Sequence, residues 1–179
     1  PALKETNPHG TQTFPCAFYQ TQMCGNKFMV KHHWHKEAEI LYFPDGNFQM
    51  EINMEVFDIH SECFYFINPG ELHSIRSDSR EPKQEYAVVF LPELLCSPFY
   101  DTVQSQLIQP LQNGQLHFPR SVSKEHPAFS DLRTIFFNIT DAFSRCSFPE
   151  ILTCKKEHFH LTSLRASGTV SIELADQLI

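Results

Sequence analysis

The stretch HHWHKEAEILYFPDG, residues 32–46, decides how this chain is read. Three imidazoles and two carboxylates stand within eight residues and run directly into the apolar Ile40-Leu41-Tyr42-Phe43. His33, His35 and Glu39 share odd parity, so on a continuous strand they face one way. Their order is H-x-H, three residues, Glu39, six residues, and then Gly46. About thirty residues downstream, NPGELH brings Pro69, Gly70 and His73, and strand pairing can set His73 opposite the first group. Three imidazoles with one carboxylate form a donor set for a divalent first-row metal. The same four side chains, pointing inward, equally serve as the polar lining of a small-molecule pocket or as an internal polar cluster. Leu41, Phe43 and Ile75 continue the parity of Glu39 and His73 and are read as apolar wall or core.

Around this stretch the chain is mainly β. FPCAFYQ, KFMVKHHWH, EILYF, NFQMEIN, EVFDIH, CFYFIN, LHSIRS and EYAVVFL are short segments rich in aromatic and β-branched residues. Pro44-Asp45-Gly46, Asn53 and Asn68-Pro69-Gly70 supply turn chemistry between them. Many short strands predict a sandwich or barrel rather than β-α units. Beyond Leu91 the prolines 92, 98 and 110 punctuate a mixed segment, with QLHF (115–118) as one last strand. Phe129, Leu132, Ile135, Phe136, Ile139 and Phe143 then recur at helical spacing, with Pro127 in the first turn. A second helix is expected from Pro149 to about Arg165. A third starts at Ser171 with Ile172, Ala175 and Leu178 on its apolar face and no stop signal before Ile179, so more protein is expected downstream.

The 179 residues carry a formal charge of −7, which lacks the footprint of a nucleic-acid binder. No apolar run reaches the 18 residues of a membrane span, and no signal segment opens the chain. Six cysteines, at 16, 24, 63, 96, 146 and 154, form no C-x-x-C pair and read as reduced thiols of a cytoplasmic protein. No nucleophile motif or phosphate loop is present, so an enzyme reading rests on the metal alone. His32 and Glu37 are read as solvated, Trp34 as packing outside, and His9 as part of an N-terminal arm.

The spacing of His33, His35, Glu39 and Gly46, followed by Pro69, Gly70 and His73, resembles the two cupin motifs. The resemblance implies a double-stranded β-helix, a jelly-roll barrel with these side chains inside. The second motif departs at its start, where Ser61-Glu62 replaces the glycine and acid, and at its end, where Ser77 replaces Asn. With HGTQTFPCAFYQ, FINPGELHSI and the helical segment added, the chain resembles the N-terminal regulatory domain of AraC-type transcription regulators. That resemblance implies an arm at 1–12, a cupin barrel at 13–118, a helical dimerisation segment at 119–167 and the start of a DNA-binding region at 168–179. It also implies a small-molecule effector bound near His33, His35, Glu39 and His73, a homodimer, DNA contacted only through a C-terminal helix-turn-helix region, and TQTFPCAFY as a lid. Zn, Ni, Fe or Mn are the metals considered for the site. The alternative is a metal-dependent cupin enzyme, an isomerase or dioxygenase.

Overall fold

The computed structural model describes residues 3–23, 27–96, 102–145, 164–167 and 171–174. Eight strands follow the eight segments foreseen: β1 Cys16–Met23, β2 Lys27–His33, β3 Ala38–Phe43, β4 Phe48–Ile52, β5 Glu55–Ile59, β6 Cys63–Ile67, β7 His73–Ser77 and β8 Lys83–Phe90. With β9, Ser121–Ser123, they make two antiparallel sheets. One has the order β1-β8-β3-β6-β9, the other β2-β7-β4-β5. The fold is a jelly-roll barrel.

Period two builds its interior. Leu41 and Phe43 of β3, Phe48, Met50 and Ile52 of β4, Cys63, Tyr65 and Ile67 of β6, Ile75 of β7, and Ala87 and Val89 of β8 form one buried cluster drawn from both sheets. Leu41 and Phe43 are 0% exposed and Ile75 1%, so all three residues assigned to a pocket wall belong to this cluster. Full burial of a side chain this size contributes roughly 1.5–3 kcal/mol.

The turns use their residues as expected. Asn53 and Met54, at φ 49° and 70°, link β4 to β5 in a left-handed two-residue turn. Asn68-Pro69-Gly70-Glu71 closes through the Glu71 amide donating to the Asn68 carbonyl at 3.1 Å, with Gly70 at φ 83°. Glu71 then takes two bonds from Arg120, at 2.8 and 2.6 Å, and Arg120 also donates to the Phe66 carbonyl at 3.0 Å. This fork fixes the start of β9 against β6.

Contacts divide the chain into two compact units, 1–91 with 120–124, and 92–119 with 125–179. In the second, a π-helical turn Gln104–Ile108 leads into α1, Gln109–Gln112. Pro110 lacks the N–H that a regular turn would use there, and the Gln109 amide bonds back five residues to Gln104. Leu107, Ile108 and Leu111 form its small core. The strand expected at 115–118 is not formed. The Gln115 and Leu116 amides both donate to the Pro110 carbonyl, at 2.8 and 3.0 Å, and are therefore spent on ending α1 rather than on a ladder. The last strand of the sheet is β9 instead. α2, Phe129–Arg145, buries Phe129, Phe136 and Ile139 of the foreseen stripe. Pro127 lies just ahead of this helix rather than inside its first turn. Leu164–Ser167 and Ser171–Leu174 pair as antiparallel strands β10 and β11. The helix foreseen from Ser171 is thus a strand at its start, since Ser-Ile-Glu-Leu also satisfies period two. The helix foreseen from Pro149 lies mostly outside the described residues, and its end, 164–165, is in β10.

Candidate functional site

The chain does not run straight through the His-rich stretch. β2 ends at His33, and β3 begins at Ala38 in the other sheet. Residues 34–37 carry the chain across, so His33 and Glu39 reach one point from different sheets rather than along one strand. His73 opens β7 and pairs in register with His33. The Asn68–Glu71 turn that delivers His73 is tied to the crossing, because the Gly70 amide donates to the His35 carbonyl at 2.7 Å.

These connections gather the four predicted side chains. The His33 and His73 rings have centroids 4.3 Å apart, His35 and His73 5.2 Å, and His33 and His35 5.5 Å. Glu39 Oε2 lies 3.3 Å from His35 Nε2 and 3.2 Å from His73 Nε2. His35, Glu39 and His73 are buried, and His33 is half-buried.

Backbone carbonyls set the tautomers. His33 Nδ1 donates to Lys31 O at 2.9 Å, His35 Nδ1 to Glu37 O at 3.1 Å, and His73 Nδ1 to Glu71 O at 2.9 Å. A carbonyl only accepts, so each Nδ1 carries a hydrogen and each Nε2 offers its lone pair or takes an added proton. His35 Nε2 hydrogen-bonds to Glu39. His73 Nε2 lies 3.2 Å from the same oxygen but makes no hydrogen bond. A buried nitrogen lone pair beside a carboxylate calls for a cation between them, whether proton or metal. One donor atom from each of His33, His35 and His73 lies within 4.8 Å of the others, which suits a divalent ion. The residues therefore fit the metal that cupin barrels imply.

The charges are mutually set. Burial pushes the Glu39 carboxyl up, but its contacts with His35 and His73 outweigh that and hold it far below the usual carboxylate range. Burial pushes the His35 imidazole down, and the Glu39 contact reverses this to a net rise. His33 is lowered, first by burial and then by His73.

Three residues near the site depart from the sequence reading. Glu37 is buried at 6%, not solvated, and its carboxylate lies 3.8 Å from His35 Nδ1. His9 is buried at 8%, its ring edge-on to His35 at 5.1 Å, and it shares a 2.9 Å hydrogen bond with the Tyr19 hydroxyl. His9, His35 and Glu37 form a second group whose donor atoms lie within 4.8 Å. Glu5 was not foreseen at all, and its Oε2 lies 3.2 Å from His33 Nε2. No local spacing relates Glu5 or His9 to the cupin pattern. Trp34 has the Lys4 ammonium 5.2 Å from its ring centroid. The segment foreseen as a lid, TQTFPCAFY, has its second half in β1, locked to β8 from Cys16↔Phe90 onward, whereas Glu5 and His9, which contact the cluster, precede it.

A jelly-roll barrel with three imidazoles and a carboxylate converging at the crossing between its sheets defines a cupin-type domain. Residues 18–98 match the family described as the AraC-like ligand binding domain. Among solved structures, ToxT from Vibrio cholerae O395, bound to (E)-4-(8-methylnaphthalen-1-yl)but-3-enoic acid, is similar over 82% of this chain and 55% of its own, at 10% identity and a TM-score of 0.50. A predicted oxalate decarboxylase from Thermotoga maritima (25% identity, TM-score 0.39) and an RmlC-like cupin from Shewanella frigidimarina NCIMB 400 (11%, 0.38) each match 42% of this chain. The chain spans 65% of the length of both. No curated protein matches it in sequence. Among the described residues, no helix is long and apolar enough to cross a membrane.

Proposed function

We propose that this chain is the effector-sensing region of an AraC-type transcription regulator. A small molecule binds at the barrel end formed by His33, His35, Glu39 and His73, with Leu41, Phe43 and Ile75 beneath it. The observation that carries the reading is the buried Nε2 of His73, which makes no hydrogen bond within a converging donor set, inside a barrel whose residues 18–98 match the AraC-like ligand binding domain. Those four side chains would hold a divalent ion (Zn, Ni, Fe or Mn), which would supply a Lewis-acidic anchor for an oxygen-bearing effector. ToxT, of the same overall fold, holds a small carboxylic acid, which is consistent with such an effector. The helical segment provides a homodimer contact, and DNA is bound by a helix-turn-helix region C-terminal to the barrel. To shift that region, the effector must bind one arrangement of the chain more tightly than the other. The location is the cytoplasm.

A metal-dependent cupin enzyme is the second reading, favoured by the same donor set. Native mass spectrometry with elemental analysis, on protein purified without a metal-affinity step, tests the site. One equivalent of metal, lost in His73→Ala, supports it, and metal-free wild-type protein rejects the ion. Operator binding by the full-length protein that responds to the bound compound separates regulator from enzyme. Steady turnover of that compound with no effect on DNA binding would reject the regulator.

A further inference from the structure

The residues ahead of the barrel enter the site at one place. The Glu5 amide donates to the Trp34 carbonyl and the Trp34 amide to the Leu3 carbonyl, both at 2.9 Å, so Lys4 forms a parallel bridge with Trp34. Trp34 stands between His33 and His35, and with β2 ending at His33 its backbone groups pair with the arm. This docking delivers the Glu5 carboxylate to the cluster. Its Oε2 lies 3.2 Å from His33 Nε2 and 3.5 Å from His9 Nε2.

Two carboxylates thus flank the three imidazoles, each 3.2 Å from an Nε2: Glu39 at His73 and Glu5 at His33. His33 gives its Nδ1 hydrogen to Lys31 O, so its Nε2 and the Glu5 oxygen are both acceptors, the same conflict seen at His73. Glu39 comes from the barrel wall and is part of the cupin pattern. Glu5 comes from a different part of the chain and is not. His9 Nε2 is buried without a hydrogen-bond partner, 3.5 Å from the same Glu5 oxygen.

We propose that Glu5 is an additional carboxylate ligand to the cation held by His33, His35, Glu39 and His73, so that cation binding and docking of residues 3–5 on Trp34 are one coupled equilibrium. The proposal rests on the reading that those four residues hold a cation. Coupling follows from linkage: an ion that gains a ligand only when residues 3–5 are docked stabilises the docked state by its differential affinity, and a docked arm strengthens ion binding by the same factor. The ion is divalent and tolerates a mixed imidazole and carboxylate shell, as Zn²⁺, Ni²⁺ and Mn²⁺ do.

The test uses this chain and Zn²⁺ or Ni²⁺ alone, with Glu5→Gln as the main variant. Gln keeps the size and the backbone docking but offers no anionic ligand. Metal affinity is measured by competition with a chromophoric chelator. Hydrogen exchange is followed at the Glu5 and Trp34 amides, the two donors of the bridge. The proposal expects Glu5→Gln to weaken metal binding about tenfold or more. It also expects metal to slow exchange at both amides in the wild type and not in the variant, with Glu5→Asp recovering part of the protection. A wild type that binds metal while Glu5→Gln binds it equally, or while its amide exchange is indifferent to metal, overturns the proposal and leaves the four-residue site standing. A wild type that binds no metal overturns both.

Discussion

Glu85→Gln should abolish a fall in stability that the wild-type protein shows between acid and mildly alkaline pH. Glu85 lies on β8 with the parity of Ala87 and Val89, both of the barrel core, and is 1% exposed. Thr21 stands opposite it on β1, and its Oε2 has no partner. Burial pushes the Glu85 carboxyl from 4.5 up to about 8, Glu39 adds in the same direction, and the Thr21 hydrogen bond opposes them. Above the unfolded value the unfolded chain has released this proton while the folded chain still holds it. The unfolded state then binds fewer protons, so stability falls as pH rises. The loss starts above about pH 4.5 and is complete just beyond about pH 8. At roughly 1.4 kcal/mol per unit the ceiling is about 5 kcal/mol, and relaxation with water entry brings it to the order of 2–4 kcal/mol. Urea unfolding of both proteins at about pH 5, 7 and 9 gives the difference curve, in which groups common to both cancel. The wild type should lose on the order of 2–4 kcal/mol relative to Glu85→Gln across that range. Parallel curves would refute the buried neutral acid, as would a variant destabilised equally at every pH.

Met54→Gly should stabilise the fold. Met54 is 84% exposed at φ 70°, so glycine removes left-handed strain of about 1 kcal/mol and loses almost no packing; an unchanged or lower melting temperature would contradict this. Gly46→Ala should destabilise by several kcal/mol, of order 3, because the new Cβ would sit 2.2 Å from the His60 carbonyl oxygen and 2.3 Å from its carbon, both backbone atoms; thermal unfolding within about 1 kcal/mol of wild type would show that the turn can move aside.

The barrel was legible because its strands are short, aromatic-rich and separated by turn residues whose chemistry is local. Asn53 and Gly70 take left-handed conformations, and the turns fall where those residues stand. The ninth strand was misplaced for an equally local reason: QLHF has strand composition, but its amides are claimed by the Pro110 carbonyl, and nothing in the four residues announces that. Ser121-Val122-Ser123 is too short to register as a strand until β6 stands beside it.

The site divides along the same line. His33, His35 and Glu39 were visible through parity, yet parity was right for a reason other than the one that suggested it. The chain breaks at 34–37 and changes sheet, and the side chains meet because the two sheets do. Position in a strand predicts facing only within one sheet, so Glu37, assigned to solvent by its place beside a turn, is instead folded into the crossing at 6% exposure. Glu5 and His9 carry no spacing signal because their placement depends on one exchange of backbone hydrogen bonds with Trp34 and one contact with Tyr19. Both partners lie beyond the reach of any local window. A motif therefore reports the donors that the barrel itself supplies, and a donor arriving from a separate segment becomes visible only when the strand end it docks against has been located.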